Sequence, residues 1–294
     1  MKQIIAVIIP THNREACLRT LLECLQLQKG GEYSLLPVVV ADGCTDGTLE
    51  MIRAEFPETK IIEGDGNWWY TRCINEGIRF AEHTDASFVL TVNDDIRFNE
   101  DYIHQLLSVY EKEGPDCLVG SVSYTMNKPY RITFSGISKI IRWRLKEVNY
   151  IPKFSVADPY ALTGYKPSMN LSGRGILIPI PVIKKIGYYD SKLVQYGSDT
   201  DFSYRATKSG IKVFLSYDAK VFEDEKLTSI GANFNNPSMF EYLRSLFAQK
   251  SINSIPKTLY YYSKHGYGIL IPIYCLIIMA GAFNDHFIKY RKLK

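Results

Sequence analysis

The stretch SFVLTVNDD, residues 87–95, runs an apolar, β-rich segment straight into an asparagine and two aspartates. Such a run, polar on neither face, fits a strand covered on both sides, as in a parallel sheet. Upstream, Ile4–Ile9 ends at Pro10-Thr11-His12-Asn13, and Val38–Val40 closes on the turn Asp42-Gly43-Cys44-Thr45-Asp46-Gly47. Lys60–Ile62 is a third such segment, followed by Gly64-Asp65. Helical spacing fills the gaps. Leu18, Leu21, Leu22 and Leu25 share one face, and Thr48–Phe56 and Thr71–His83 read as helices. Further on, Thr200–Ser209 reads as a helix and Lys212–Ser216 as a strand, while Arg131–Val148 reads as a hairpin or a meander. The alternation predicts an α/β fold with a mainly parallel central sheet flanked by helices.

The chain has 294 residues, 46% of them hydrophobic and 22% charged, which excludes a disordered tail, a collagen and a coiled coil. The net charge of +4 is too mild to suggest a nucleic-acid partner. It is uneven, however. Residues 226–294 carry nine Lys/Arg against two Asp/Glu, a net of +7, which leaves −3 on residues 1–225. The division expected is a body over 1–225 and a basic, apolar, helical extension over 226–294. Six cysteines without a CxxC spacing read as reduced thiols of a cytoplasmic protein, and the N-terminal residues lack the features of a secretory signal.

In an open α/β sheet, ligands bind beyond the carboxyl ends of the strands. Thr11 and Asn13, Asp42, Asp65, and the pair Asp94-Asp95 fall at such ends. Adjacent carboxylates repel, and a cation is the usual relief. Oxygen donors without nearby Cys or His favour Mg²⁺ or Mn²⁺, whose shell is commonly completed by water and phosphate oxygens, so the crevice is expected to take a diphosphate. There is no GxxxxGK[ST] loop and no GxGxxG after the first strand, which speaks against a P-loop NTPase and a dinucleotide dehydrogenase. A second acidic group, Asp199-Thr200-Asp201, opens a helix. It serves either the helix dipole or, at Asp199, as a general base toward an attacking hydroxyl.

Five stretches in order, IIPTHNRE (8–15), VVVADGCTDGT (38–48), GDGNWWYTRCINEGI (64–78), LTVNDDI (90–96) and YGSDTDFSYRA (196–206), resemble an inverting glycosyltransferase of family 2 with the GT-A fold. The Gly66-Asn67-Trp68-Trp69 stretch is similar to members that build bacterial surface polysaccharide, rhamnosyltransferases among them. The resemblance implies transfer of one sugar from a nucleoside-diphosphate donor to a hydroxyl of a saccharide or lipid-linked saccharide acceptor. Pro10, Thr11, Asn13 and Asp42 would line the nucleotide pocket, with Asp42 accepting from the base or ribose. Asp65 and Asn67 would stand near the base or sugar. Asn93-Asp94-Asp95 occupies the place of the family's DxD motif, which makes Asp95 the metal ligand and sets Asp94 by the donor sugar or ribose. Asp199 takes the place of the catalytic base, and Trp68, Arg174 and Asp201 would serve the acceptor. The chain departs from the family pattern at Asn93, at Ser198 and at Glu223, which stands where relatives carry a metal-binding His and is expected as a further hard ligand. The QxxRW motif of processive synthases is absent, so single-sugar transfer is expected. The competing readings are a sugar nucleotidyltransferase, disfavoured because Pro10–Arg14 has no glycine, and a non-catalytic scaffold of a polysaccharide assembly complex.

Residues 265–284 contain no Asp, Glu, Lys or Arg, and the dense apolar part, 269–283, is interrupted by Pro272 and Gly281. That is short of the roughly 20 residues a spanning helix needs. Lys250, Lys257 and Lys264 precede it, and Lys289, Arg291, Lys292 and Lys294 follow. The tail would lie at an anionic membrane surface, pack against the body or a second copy in a homodimer, or span a bilayer. The first is expected, placing the protein peripherally at the inner face of the cell membrane.

Overall fold

The computed structural model describes residues 2–143, 145–224, 244–248, 250–251 and 254–284. Lys289, Arg291, Lys292 and Lys294 lie outside the described residues. The chain opens β1 (Gln3–Thr11), α1 (Glu15–Gln26), β2 (Tyr33–Asp42), α2 (Thr48–Glu55), β3 (Lys60–Gly64), α3 (Trp69–Glu82) and β4 (Ala86–Thr91). These strands pair β3-β2-β1-β4, all parallel, so their carboxyl ends share one rim. The apolar runs of β1, β2 and β4 are buried on both faces as predicted, while the edge strand β3 is only half-buried. In β1, Ile5, Val7 and Ile9 join the core beneath α1 and α2, while Ala6 and Ile8 join the core beneath α3. The chain steps from β1 through β2 to β3 in one direction and then crosses to the other side of β1 for β4. The rim between β1 and β4 is therefore the switch point where α/β sheets open a crevice.

The second half is less regular than the sequence pattern. It comprises β5 (Ile96–Phe98), α4 (Tyr102–Glu113), β6 (Cys117–Thr125), β7 (Ile132–Phe134), β8 (Ile137–Ile141), β9 (Lys146–Asn149), β10 (Tyr165–Pro167), β11 (Ile176–Pro179), α5 (Ile180–Ile186), α6 (Ser198–Lys208) and β12 (Lys212–Glu223). The sheet continues from β4 as β11-β6-β12-β10, with β5 on β12 and β7 on β6. β11 is antiparallel to both its neighbours, whereas β6 and β12 are parallel. The hairpin expected within 131–148 is β8-β9. β12 runs seven residues beyond the expected Ser216, because a register shift between Ser216 and Lys220 lets it stay paired with β6 as far as Glu223. Among the described residues that follow are the helices α7 (Ile255–His265) and α8 (Ile271–Asn284), joined through a 3-10 turn at Gly268–Leu270.

Gly77 sets the distance of α3 from the sheet: a Cβ there would lie 2.3 Å from Ile8 Cγ2. Gly77→Ala therefore opposes two effects. Helix propensity favours Ala by about 1 kcal/mol, and overpacking a close-packed site costs about 1–3 kcal/mol. Because Ile8 is fully buried and β-branched, with no free rotamer to retreat to, net destabilisation is expected as a lower urea midpoint. A midpoint above the parent's would show that α3 is not held against β1 at this point.

Candidate active site

The rim carries a cavity of about 470 Å³, within the range of small-ligand sites. Pro10, Thr11, Asp42, Asp94, Asp95 and Asp199 all border it, so residues separated by up to 189 positions meet in one hollow. Parallel pairing explains the first five: Pro10 registers with Val40, Thr11 with Ala41, and Ile8 with Thr91.

Asp94 lies at the centre, 4% exposed. Thr11 Oγ1 donates to its Oδ2 at 2.7 Å, and Arg14 Nη1 donates to its Oδ1 at 2.9 Å and to Asp95 Oδ2 at 3.1 Å. Burial pushes the Asp94 carboxyl up to about 6; the Arg14 guanidinium opposes that shift, and the neighbouring Asp95 charge adds to it. One guanidinium thus serves two carboxylates, leaving the trio one negative charge in excess. Hard oxygen donors with residual negative charge suit Mg²⁺ or Mn²⁺ held by one or two carboxylates. Among the described residues no group of three or more His, Cys, Asp or Glu side chains is set to hold an ion by itself. Ligand oxygens would have to complete such a site. Glu223 is not a third ligand. It is buried at the end of β12 and does not border the cavity; Arg174, which does, lies between them with Nε 2.8 Å from Glu223 Oε2.

Asp42 acts on the backbone. Its carboxylate accepts from the amides of Gly66 (2.7 Å), Trp68 (2.9 Å) and Trp69 (2.9 Å). The pair of bonds to consecutive amides accompanies a left-handed backbone at Trp69, φ 58°, a conformation a bulky residue holds only when its surroundings impose it. The structure corrects four expectations around this loop. Asp65 forms a turn with the Asn67 amide, 2.8 Å, and neither residue borders the cavity. Trp68 turns away, stacked under Arg72, and Trp69 and Tyr70 form the aromatic wall in its place. Asn13 faces outward as well. Its Oδ1 accepts from the amides of Thr45 (2.7 Å) and Asp46 (3.3 Å), pinning the turn after β2.

Asp199, which borders the same hollow, stands in the first turn of α6. The Gly173 amide donates to its Oδ2 at 2.6 Å, and a side chain at 173 would meet Tyr70 Oη at 2.2 Å, so only glycine lets that amide reach. Gly175, at φ 112°, would likewise strike Tyr102 Oη. Ser198, where the family pattern has Glu, is buried and bonded to Thr71 Oγ1 at 2.7 Å. Asp201 is not an acceptor residue. It is fully buried, receives Arg205 Nε at 2.8 Å, Lys264 Nζ at 2.6 Å and His265 Nε2 at 2.7 Å, and does not border the cavity. Burial opposes its ionisation, but those three donors outweigh it and hold the carboxyl well below the usual range. The wall residues His12, Arg14, Gln195 and Tyr196 carried no role in the sequence reading. Arg14 had a visible signal, one cation directly after the first strand's polar end. Gln195 and Tyr196 had none beyond preceding Asp199.

Of the tail lysines expected at a membrane, Lys250, Lys257 and Lys264 face the body. Lys250 Nζ stands 3.5 Å from the centre of the Trp69 ring, and Lys257 Nζ 5.2 Å from that of Tyr196. Burial pushes the Lys257 ammonium down to about 8.

Comparison with known proteins agrees with this geometry. Chondroitin synthase of Pasteurella multocida (strain Pm70) is 23% identical over 234 residues, covering 70% of this chain; the chain spans 23% of that relative's length. Among solved structures, the crystal structure of GalNAc-T7 with UDP, GalNAc and Mn²⁺ superposes with a TM-score of 0.62 at 14% identity, covering 98% of this chain and 58% of that one. S. aureus TarS superposes with a TM-score of 0.54 at 16% identity, covering 98% and 44%. At these identities the structures show a common fold, the GT-A glycosyltransferase architecture. The sequence profile described as Glycosyl transferase family 2 matches residues 6–165, more than half of the chain, which therefore belongs to that family.

Proposed function

We propose that this glycosyltransferase moves a single sugar, with inversion, from a nucleoside diphosphate to a hydroxyl of a saccharide or lipid-linked saccharide in cell-surface polysaccharide synthesis. The observation that carries the reading is that Asp94, Asp95 and Asp199 all border one cavity. The acid pair marks the donor side, because its residual negative charge suits an ion shared with a diphosphate. Asp95, with Asp94 beside it, would hold Mg²⁺ or Mn²⁺. Bound there, the ion would neutralise charge developing on the departing diphosphate. Asp199 takes the proton of the acceptor hydroxyl. The Gly173 N–H fixes its Oδ2, leaving Oδ1 to face the incoming hydroxyl, and attack from the side opposite the diphosphate inverts the anomeric centre. Trp69 and Tyr70 supply the aromatic wall on which a sugar ring packs. Thr11 and Arg14 hold Asp94 and Asp95 in place before the donor arrives.

The apolar tail has its own reading. Ile269 is 89% exposed, and Ile273, Leu276 and Met279 continue an exposed face along α8. No helix among the described residues is long and apolar enough to cross a membrane. The exposed face supports attachment to the membrane interface, with the protein on the cytoplasmic side, where a lipid-linked acceptor would be presented.

Asp199→Asn is expected to lower kcat by about 10²–10⁴-fold, the usual loss for a general base, with nucleotide affinity unchanged; retention of more than a tenth of the parent rate would remove Asp199 from that role. In a thermal-shift series with UDP, dTDP, GDP and CDP, one nucleotide at a hundredfold excess over Kd is expected to add about 2.7 kcal/mol of stability when Mn²⁺ is present. Asp95→Asn should cancel the Mn²⁺-dependent part, and a shift indifferent to both would rule out ion-assisted donor binding. The chain should co-float with anionic vesicles, and Ile269→Asp with Leu276→Asp should release it. Failure of the parent to float, with elution as a dimer that the double variant disrupts, would assign the face to a second copy instead.

A further inference from the structure

Asp201 sits two residues beyond Asp199 on the same first turn of α6 and is fully buried. A buried carboxylate is retained only where donors satisfy it, and here two of its three come from α7. Lys264 Nζ lies 2.6 Å from both Asp201 Oδ1 and Asp190 Oδ2, bridging α6 to the loop that precedes it. His265 Nε2 meets the same Asp201 oxygen at 2.7 Å. Lys208 Nζ, which can only donate, lies 3.3 Å from His265 Nδ1, so the ring carries its proton on Nε2 and donates it to Asp201. The ring is packed between Tyr204 of α6 and Tyr261 of α7, with centroid distances of 5.0 and 4.7 Å. Tyr260 adds a bond to Asp190 at 2.7 Å. Arg205, one turn along, bonds Asp201 and the carbonyls of Ile186 and Tyr188. The orientation of the first turn of α6 is thus set from two sides, by its own Arg205 and by the C-terminal segment.

The same segment reaches the cavity wall at two more points, Lys250 on Trp69 and Lys257 at Tyr196. The three lysines fall at intervals of seven, and each meets either the wall or the base-bearing helix.

We propose that Lys264 and His265 of α7 are positioning residues for the base: by clamping Asp201 they fix the turn that presents Asp199 to the acceptor, so the C-terminal segment completes the transfer site. The inference rests on the reading of Asp199 as the base.

Steady-state transfer by Lys264→Met, His265→Ala, Lys264→Arg and Asp199→Asn, each with its nucleoside-diphosphate affinity and unfolding transition measured alongside, tests it. A clamp acting through Asp199 predicts that Lys264→Met and His265→Ala each lower kcat at least tenfold. Donor KM and nucleotide affinity should stay within twofold, because Asp94 and Asp95 are held by Thr11 and Arg14 near the end of β1, not by α6 or α7. Lys264→Arg, which keeps a cation between the two aspartates, should recover most of the loss. A fall in nucleotide affinity parallel to the fall in kcat would instead indicate a general structural role and overturn the proposal. So would parent-like kcat in folded Lys264→Met and His265→Ala proteins. If Lys264→Met does not fold, His265→Ala alone decides on the same criteria. Full activity of Asp199→Asn would overturn the base assignment itself. An inactive Asp199→Asn beside active clamp variants would overturn the clamp alone.

Discussion

Two aspartates side by side at the end of a buried strand are an electrostatic burden, and the architecture of the site follows from how that burden is carried. Arg14 bonds both carboxylates and Thr11 bonds the deeper one. This arrangement needs β1 and β4 to be neighbours with their carboxyl ends on one rim, which the parallel order β3-β2-β1-β4 provides. The single guanidinium leaves the pair incompletely neutralised, and that residue of charge gives this part of the cavity its chemical character. A sheet in which β4 was antiparallel to β1 would send Asp94 to the opposite edge, away from Asp42 and Asp199.

The remaining wall is built from main chain as much as from side chains. Asp42 spends its carboxylate on three amides of the loop before α3, and Asp199 is oriented by the Gly173 amide. Both arrangements depend on close backbone approach. A Cβ at Gly64 would lie 2.7 Å from Asp42 Oδ1, and one at Gly173 would meet Tyr70 Oη. Carboxylates fixed by amides lose less on ligand binding than freely rotating ones, because their rotamers are already chosen.

Charge in the C-terminal segment has two destinations. The lysines at 250, 257 and 264 turn toward the body, whereas the apolar face of α8 turns outward. Composition alone merges these into one basic, apolar tail. The separation arises because Asp190 and the buried Asp201 supply negative partners for Lys264, and nothing comparable covers Ile269 or Leu276 among the described residues.

The N-terminal half of the fold was legible in the sequence because it follows local rules. Apolar runs of strand length end in polar residues, helices of period 3.6 separate them, and the parallel order follows from that alternation. Asp94, Asp95, Asp42 and Asp199 were found for the same reason, since they stand at element ends. Their partners were not legible. Whether Asp42 faces a ligand or three amides, and whether Trp68 or Trp69 forms the wall, depends on a left-handed turn no periodicity reveals. Asp201 illustrates the difference best. Its neighbour Asp199 borders the cavity while it is buried against Lys264 and His265, more than sixty residues away. Two residues along a helix turn a side chain by about 200°, so the face each one meets is decided by what packs on the helix. The sequence by itself determined the parallel half of the sheet, its rim and the residue types gathered there. Tertiary structure alone decided which carboxylates remain open to a ligand, because an ion pair or an amide contact is a property of neighbours in space.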